Sequence, residues 1–247
     1  MKIGIDCGHT LSGADYGAVG VKAESVLTRE VGTRVISKLK ALGHSVINCT
    51  IDTCNSLEES LAYRVNQANN NNVDLFISIH FNCFNGQAYG TEVFTWGAEQ
   101  LPEATRVLNN LVGLGYGKRG IKDGSNLYVI RNTKAKAMLI ECCFCDNRED
   151  MNRYDVEKMA NAIVEGIVGK TVSNNSNNNW CSLNGKVGIV TAKDGLNVRE
   201  GKSVNSKILG VLKHGEKVRL FKKDGDWISI YYSKHGGYVY ADYIEVL

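Results

Sequence analysis

Val73-Asp74-Leu75-Phe76-Ile77-Ser78-Ile79-His80 decides the fold, because it is a short, nearly continuous apolar run that ends on a histidine. A run of this length, rich in aliphatic and β-branched residues, reads as a strand covered on both faces, the type that parallel sheets contain. Lys2-Ile3-Gly4-Ile5-Asp6-Cys7 has the same character and leads into Gly8-His9, and Ala137-Met138-Leu139-Ile140 leads into Glu141. In an α/β sheet the carboxyl ends of parallel strands open onto one crevice. His9, His80 and Glu141 are therefore placed to meet there, although far apart along the chain.

Outward from these three runs, Ser45–Cys49, Thr91–Trp96 and Leu127–Ile130 read as further strands. Between them the apolar period changes to that of helices: Leu27, Val31, Val35, Leu39 and Leu42; Leu57, Leu61, Val65 and Ala68; Val156, Met159, Ile163 and Ile167. Gly43 suits the end of the first of these helices. Strands alternating with helices predict an α/β fold, a mainly parallel twisted sheet with helices on both faces.

Thr171 to Asn179, TVSNNSNNN, interrupts this pattern with short polar side chains that bury too little to offset the entropy of ordering them. We expect a domain over residues 1–170, an Asn/Ser-rich flexible linker over 171–183 and a second domain over 184–247. The second reads differently, with short strands at Gly195–Arg199, Ile208–Leu212, Lys217–Lys222, Trp227–Tyr232 and Gly237–Tyr240, joined by turns such as Lys223-Asp224-Gly225-Asp226. That pattern predicts a small all-β barrel. It also carries the basic excess: eleven Lys and Arg against seven Asp and Glu from Asn184 onward, a net of +4, in a chain whose total is +3.

The 247 residues are 43% apolar and 22% charged, an ordinary soluble composition. No apolar run approaches the roughly 20 residues that span a bilayer, so no membrane insertion is expected. The N-terminus reads as a strand and not as a signal peptide, which leads to an expectation of cytoplasmic synthesis. Eight cysteines without an export signal do not suggest a disulfide framework, and most read as buried thiols. Nucleic-acid binding is not expected, since the basic excess is modest and no recognition motif accompanies it.

His9 and His80 at strand ends, with Glu24 at the start of the first long helix, supply two imidazoles and a carboxylate, a set that suits catalytic zinc better than magnesium or calcium. A lone histidine in such a place is often only structural; the second at the equivalent position strengthens the metal reading. Glu141 follows four apolar residues and precedes Cys142 and Cys143, so its surroundings should be poorly solvated. Burial raises a carboxylate's pKa and suits it to accept and return a proton. A structural glutamate paired with an arginine is the alternative.

At these residues the first 170 or so positions resemble the zinc-dependent N-acetylmuramoyl-L-alanine amidases, which cut bacterial peptidoglycan. The similar stretches are Asp6-Cys7-Gly8-His9, Asp15-Tyr16-Gly17-Ala18-Val19-Gly20, Arg64-Val65-Asn66-Gln67-Ala68-Asn69, Ser78-Ile79-His80-Phe81-Asn82, and Glu141 followed by Phe144 and Asn147. The resemblance implies Zn²⁺ held by His9, Glu24 and His80, with Glu24 preferred over Glu30 because of its place before Gly43. It further implies Glu141 as general base and acid in cleaving the amide between N-acetylmuramic acid and L-alanine. The small domain resembles bacterial SH3-type wall-binding modules through Gly195-Leu196-Asn197-Val198-Arg199, Trp227 and Gly237-Tyr238-Val239. Its aromatic residues, Trp227, Tyr231, Tyr232, Tyr238, Tyr240 and Tyr243, are either core or binding groove.

One stretch departs from the family pattern: Cys142-Cys143-Phe144-Cys145 stands where a Gly before the Phe is usual. Its Cys-x-x-Cys spacing lacks the helix start and nearby proline of a redox pair, since the one proline is Pro102. Catalytic unit, linker and wall-binding module together are similar to a phage endolysin of a Gram-positive host, which would accumulate in the host cytoplasm and reach the wall once the membrane is breached. A host autolytic or sporulation amidase, a zinc carboxypeptidase acting on wall peptides and a catalytically dead wall-binding protein are the alternatives. Lys118 to Ser125, KRGIKDGS, reads either as a cleft-lining segment or as a solvated loop.

Overall fold

A computed structural model describes residues 1–169, 180–232 and 236–247, with the backbone alone at 180–182. The chain divides into two compact units, Met1–Val172 and Ser173–Leu247. The Asn-rich stretch assigned to the linker lies outside the described residues. Among these, no helix is long and apolar enough to cross a membrane.

In the first unit β1 (Lys2–Cys7), β2 (Ser12–Gly13), α1 (Glu24–Ala41), β3 (Ser45–Asn48), β4 (Thr53–Cys54), α2 (Leu57–Asn70), β5 (Leu75–Asn82) and β6 (Thr91–Thr95) follow in order. They continue with α3 (Pro102–Gly113), β7 (Lys118–Asp123), α4 (Tyr128–Asn132), β8 (Lys136–Phe144), α5 (Arg148–Arg153) and α6 (Val156–Val168). Six strands form one sheet in the order β3-β1-β5-β8-β6-β7, while β2 and β4 pair apart from it. All neighbours in the large sheet run parallel except β6 with β8. The sheet is thus mainly parallel, as the alternating pattern predicts.

Alternation along each strand sends successive side chains to opposite faces. Ile3, Ile5, Ile77, Ile79, Met138 and Ile140 pack with the apolar sides of α1, α3 and α6 in one core cluster. Phe76, Ala137 and Leu139 pack on the other face with α2 and α4. Toward the strand ends this second face becomes polar: Asp6 and Ser78, then His80, Glu141 and Glu92, occupy the corresponding positions. The long helices end as their sequences suggest. Gly43 follows the α1 cap residue Leu42 with φ +83°, and Ser56 caps α2 through its side chain.

Three elements differ from expectation. Leu127–Ile130 is not a strand: Tyr128–Asn132 form a short helix. Val129 and Ile130 are adjacent and both buried in the same cluster, which a helical turn permits and a strand, with its alternating faces, does not. Lys118–Asp123 is an edge strand and not a solvated loop. The third is α3, absent from the sequence-based expectation, with Pro102 in its first turn and Ala104, Val107, Leu108 and Leu111 buried at helical spacing.

The second unit contains β9 (Trp180–Ser182), β10 (Val187–Val190), β11 (Leu196–Arg199), β12 (Ile208–Leu212), β13 (Lys217–Asp224), β14 (Trp227–Ile230), β15 (Gly237–Tyr240) and β16 (Ile244–Val246), all paired antiparallel. Trp180–Ser182, which the sequence pattern places in the linker, pair instead with β13. The polar run stops at Asn179, and the Trp180 that follows it favours strands. The core is aliphatic, built on Leu183, Val190, Leu196, Val198, Leu220, Ile228, Ile230 and Val239.

Candidate metal and acid-base site

Three elements bring the site together. His9 follows β1, Glu24 opens α1 and His80 lies near the end of β5, and one ligand atom from each falls within 4.8 Å of the others. Glu24 stands between the rings: its Oε2 is 3.1 Å from His9 Nε2, and its Oε1 is 3.1 Å from His80 Nδ1. The amide N–H groups of Ala18 and Phe81 also donate to the two Glu24 oxygens. Glycines make room for the rings. A Cβ on Gly8 would lie 2.3 Å from His80 Nε2, and one on Gly17, which has φ +81°, would lie 2.6 Å from the His9 ring.

His9 itself adopts a left-handed backbone, with φ 63°, a conformation that costs energy in a non-glycine residue. Two arginines hold it there. Arg29 Nη2 donates to the His9 carbonyl at 2.7 Å and Arg64 Nη2 at 2.6 Å. Arg64 is buried, forms an ion pair with the buried Asp6, and also donates to the Cys7 carbonyl. Behind the ring, His9 Nδ1–H donates to Asp15 Oδ1 at 2.7 Å, and Asp15 Oδ2 accepts from Ser60 at 2.6 Å. A carboxylate in that place fixes the ring and turns Nε2 toward Glu24, its second hydrogen-bond partner.

The electrostatics favour positive charge. Burial alone would lower the His9 pKa, but hydrogen bonds to Asp15 and Glu24 carry it up to about 9. Burial would raise that of Glu24, yet the hydrogen bonds to His80 and His9 hold it far below the carboxylate range. Two imidazoles, a carboxylate and a second carboxylate behind one ring form a donor set that could hold a divalent cation of the zinc type.

Glu141 pairs in register with His80 on β5 and with Glu92 on β6, so its carboxyl group faces the same way as both. It has no arginine partner among the described residues. Its Oε2 is buried without any hydrogen-bond partner. Burial pushes its pKa up to about 7, with His80 opposing and Glu24 and Glu92 reinforcing the rise. All four residues singled out from the sequence thus lie together. The roles of Asp15, Arg29 and Arg64 in holding His9 were not assigned from the sequence, because these contacts form only when a loop and two helices close on the end of β1. Six of the cysteines are packed thiols, Cys7, Cys49, Cys54, Cys142, Cys143 and Cys145, all buried and unbridged, while Cys83 is half-buried.

On the small unit none of the aromatic residues in question is fully buried in the core, but Tyr232 is half-buried and packs against it. Trp227 stacks edge-on with Tyr240 at 5.4 Å, and Tyr240 approaches Tyr243 at 6.2 Å, with Tyr243 exposed. Arg219 lies 5.0 Å over the Tyr231 ring.

Against known families, the N-acetylmuramoyl-L-alanine amidase profile matches residues 3–169 and the bacterial SH3 domain profile residues 194–245. The "Uncharacterized protein CPE1502" of Clostridium perfringens is 32% identical over 95% of this chain and 74% of its own length. The N-acetylmuramoyl-L-alanine amidase LytC of Bacillus subtilis is 32% identical over 66% of this chain and 34% of its own length. Among solved structures, the catalytic domain of the CD27L endolysin targeting Clostridia Difficile superposes with a TM-score of 0.65 at 31% identity, covering 70% of this chain and 99% of that one.

Proposed function

The chain belongs to the N-acetylmuramoyl-L-alanine amidase family, and from that premise we propose that it hydrolyses the bond between N-acetylmuramic acid and L-alanine with Zn²⁺ held by His9, Glu24 and His80 and with Glu141 as acid-base group. Its substrate is peptidoglycan, in keeping with an amidase unit joined to a bacterial SH3 domain. The observation that carries the reading is the convergence of His9, Glu24 and His80 beside a buried carboxyl oxygen that has no partner of its own.

When bound, zinc supplies a Lewis acid that makes water acidic near neutral pH and polarises a carbonyl. The remaining work falls to side chains. Asp15 holds His9 in one tautomer, and the Arg29 and Arg64 clamp on the His9 carbonyl keeps the ring aimed at Glu24. Glu141 accepts a proton from the attacking water at the free Oε2 and delivers it to the departing alanine nitrogen. A group whose pKa lies near 7 can do both at neutral pH.

Digestion of purified wall tests this. We expect new alanine amino termini without new reducing sugars, and a loss on the order of 10²- to 10⁴-fold in Glu141→Gln. New sugar ends, or near wild-type turnover by that variant, would overturn the reading. An endolysin role, acting from the host cytoplasm once the membrane is breached, is supported by the similarity to the solved endolysin domain. Deleting the gene from an induced lysogen and finding lysis unimpaired would move the assignment to a host autolytic or sporulation amidase. The wall itself is anionic, and the net +4 of residues 184–247 gives the small unit a reason to adhere.

A further inference from the structure

Arg119, on the edge strand β7, has the form of a carboxylate receptor that the amidase mechanism does not use. Its Nε donates to Glu92 Oε2 at 2.8 Å, and Glu92 is a buried carboxylate. Lys122 Nζ sits on the same oxygen at 2.5 Å, and Asn82 Nδ2 donates to Oε1 at 2.9 Å. The guanidinium also stacks on Phe144, 4.9 Å from the ring centroid. Anchored along one edge and on one face, it leaves Nη1 and Nη2 without a hydrogen-bond partner among the described residues, and the side chain is 35% exposed. A fork fixed in this way is pre-organised to take a carboxylate through two parallel N–H···O bonds.

The fork stands beside the reacting groups. Glu92 faces Glu141 across the β6–β8 ladder, and Phe144 lies three residues past Glu141 on β8. Neighbouring strands are about 4.8 Å apart, so a guanidinium reaching from β7 back over β8 is within a stem residue or two of a bond positioned at Glu141. Two cations share one Glu92 carboxylate, which leaves the cluster a net positive charge directed at solvent.

We propose that Arg119 recognises a free carboxylate on the stem peptide, that of the acidic residue after L-alanine, and so sets a preference for stems in which this group is not amidated. The proposal rests on the amidase reading above. It is tested with soluble disaccharide-tetrapeptides that differ only in having the second stem residue acidic or amidated. Full-length wild type should favour the acidic substrate by about 10- to 100-fold in kcat/KM, the usual worth of a charge-assisted hydrogen bond, chiefly through KM. Arg119→Gln should bring that ratio close to one, and Arg119→Lys, which keeps the charge but not the fork, should retain part of it. Equal use of both substrates by wild type, or an undiminished ratio in Arg119→Gln, would overturn the assignment of Arg119 alone. Wild type that releases no stem from either substrate would overturn the amidase reading and this inference with it.

Discussion

Replacing Arg64 by Met should destabilise the amidase unit by about 3–5 kcal/mol, the usual cost of stranding a buried charge. Arg64 and Asp6 are 2% and 0% exposed, so neither charge is relieved by water. Besides that ion pair, Arg64 Nη1 donates to the Cys7 carbonyl at 2.8 Å and Nε to Ser60 at 3.1 Å. Methionine fills the hydrocarbon space, so a cavity adds little. What remains is an Asp6 carboxylate whose other hydrogen bond comes from Ser78 Oγ at 2.7 Å. Hydrogen exchange of the β1 and β5 amides reads the opening of this unit by itself. At about 1.4 kcal/mol per factor of ten, their protection should fall by roughly 10² to 4 × 10³-fold. Asp6→Asn should also destabilise, and the double variant should cost less than the two single costs together by roughly 0.5–3 kcal/mol, since it removes both charges. A loss of protection under about fivefold in Arg64→Met, or strict additivity in the cycle, would refute the stranded-charge argument.

Glu141 makes a pH prediction in metal-free protein. Its folded pKa of about 7 lies above the ordinary 4.5, so the folded state holds the proton more tightly. Stability from this group is present below about pH 4.5 and is lost as the pH rises through 7, by roughly 1–3 kcal/mol. Glu141→Gln should remove that slope in denaturation measured from pH 5 to 8, and a wild-type-minus-variant difference independent of pH would count against it. Asp15→Asn should weaken zinc binding in titration calorimetry by about 10- to 100-fold, as loss of a carboxylate behind a ligating histidine does; unaltered affinity would show that the Asp15 contact does not tune the site. Gly8→Ala puts a methyl group against His80, so it should abolish zinc uptake while leaving the circular dichroism spectrum unchanged.

The three runs that end on His9, His80 and Glu141 were legible because strands covered on both faces leave a nearly unbroken apolar trace. Glu24 was legible through resemblance, since nothing in the local pattern separates it from Glu30. Glu30 in fact bonds Lys22 and the Tyr154 hydroxyl, away from the two histidines. Leu127-Tyr128-Val129-Ile130 misled because four apolar residues carry no period long enough to tell a strand from a helical turn. In α3 the signal was present, a proline followed by apolar residues at i, i+3, i+4 and i+7, and it had no place in the expected alternation. The Arg119–Glu92–Asn82 cluster was hidden for a different reason. Its members lie 10 and 27 residues apart and meet only once register sets β5, β8, β6 and β7 side by side. The linkage of β6 to β8 by an antiparallel ladder is likewise a property of the assembled sheet.

The packed thiols lend the molecule a use of its own. Burial pushes the Cys7 thiol up to about 11 and those of Cys49 and Cys145 up to about 12, and raises Cys142 and Cys143 well above their ordinary value. Alkylating reagents attack the thiolate, so at neutral pH these sulfurs are shielded twice over, by lack of access and by lack of charge. Each becomes reactive when the chain around it leaves the core. Mass gained at these buried thiols in steady exposure to such a reagent therefore marks the molecules whose catalytic unit has opened, with the half-buried Cys83 scored apart.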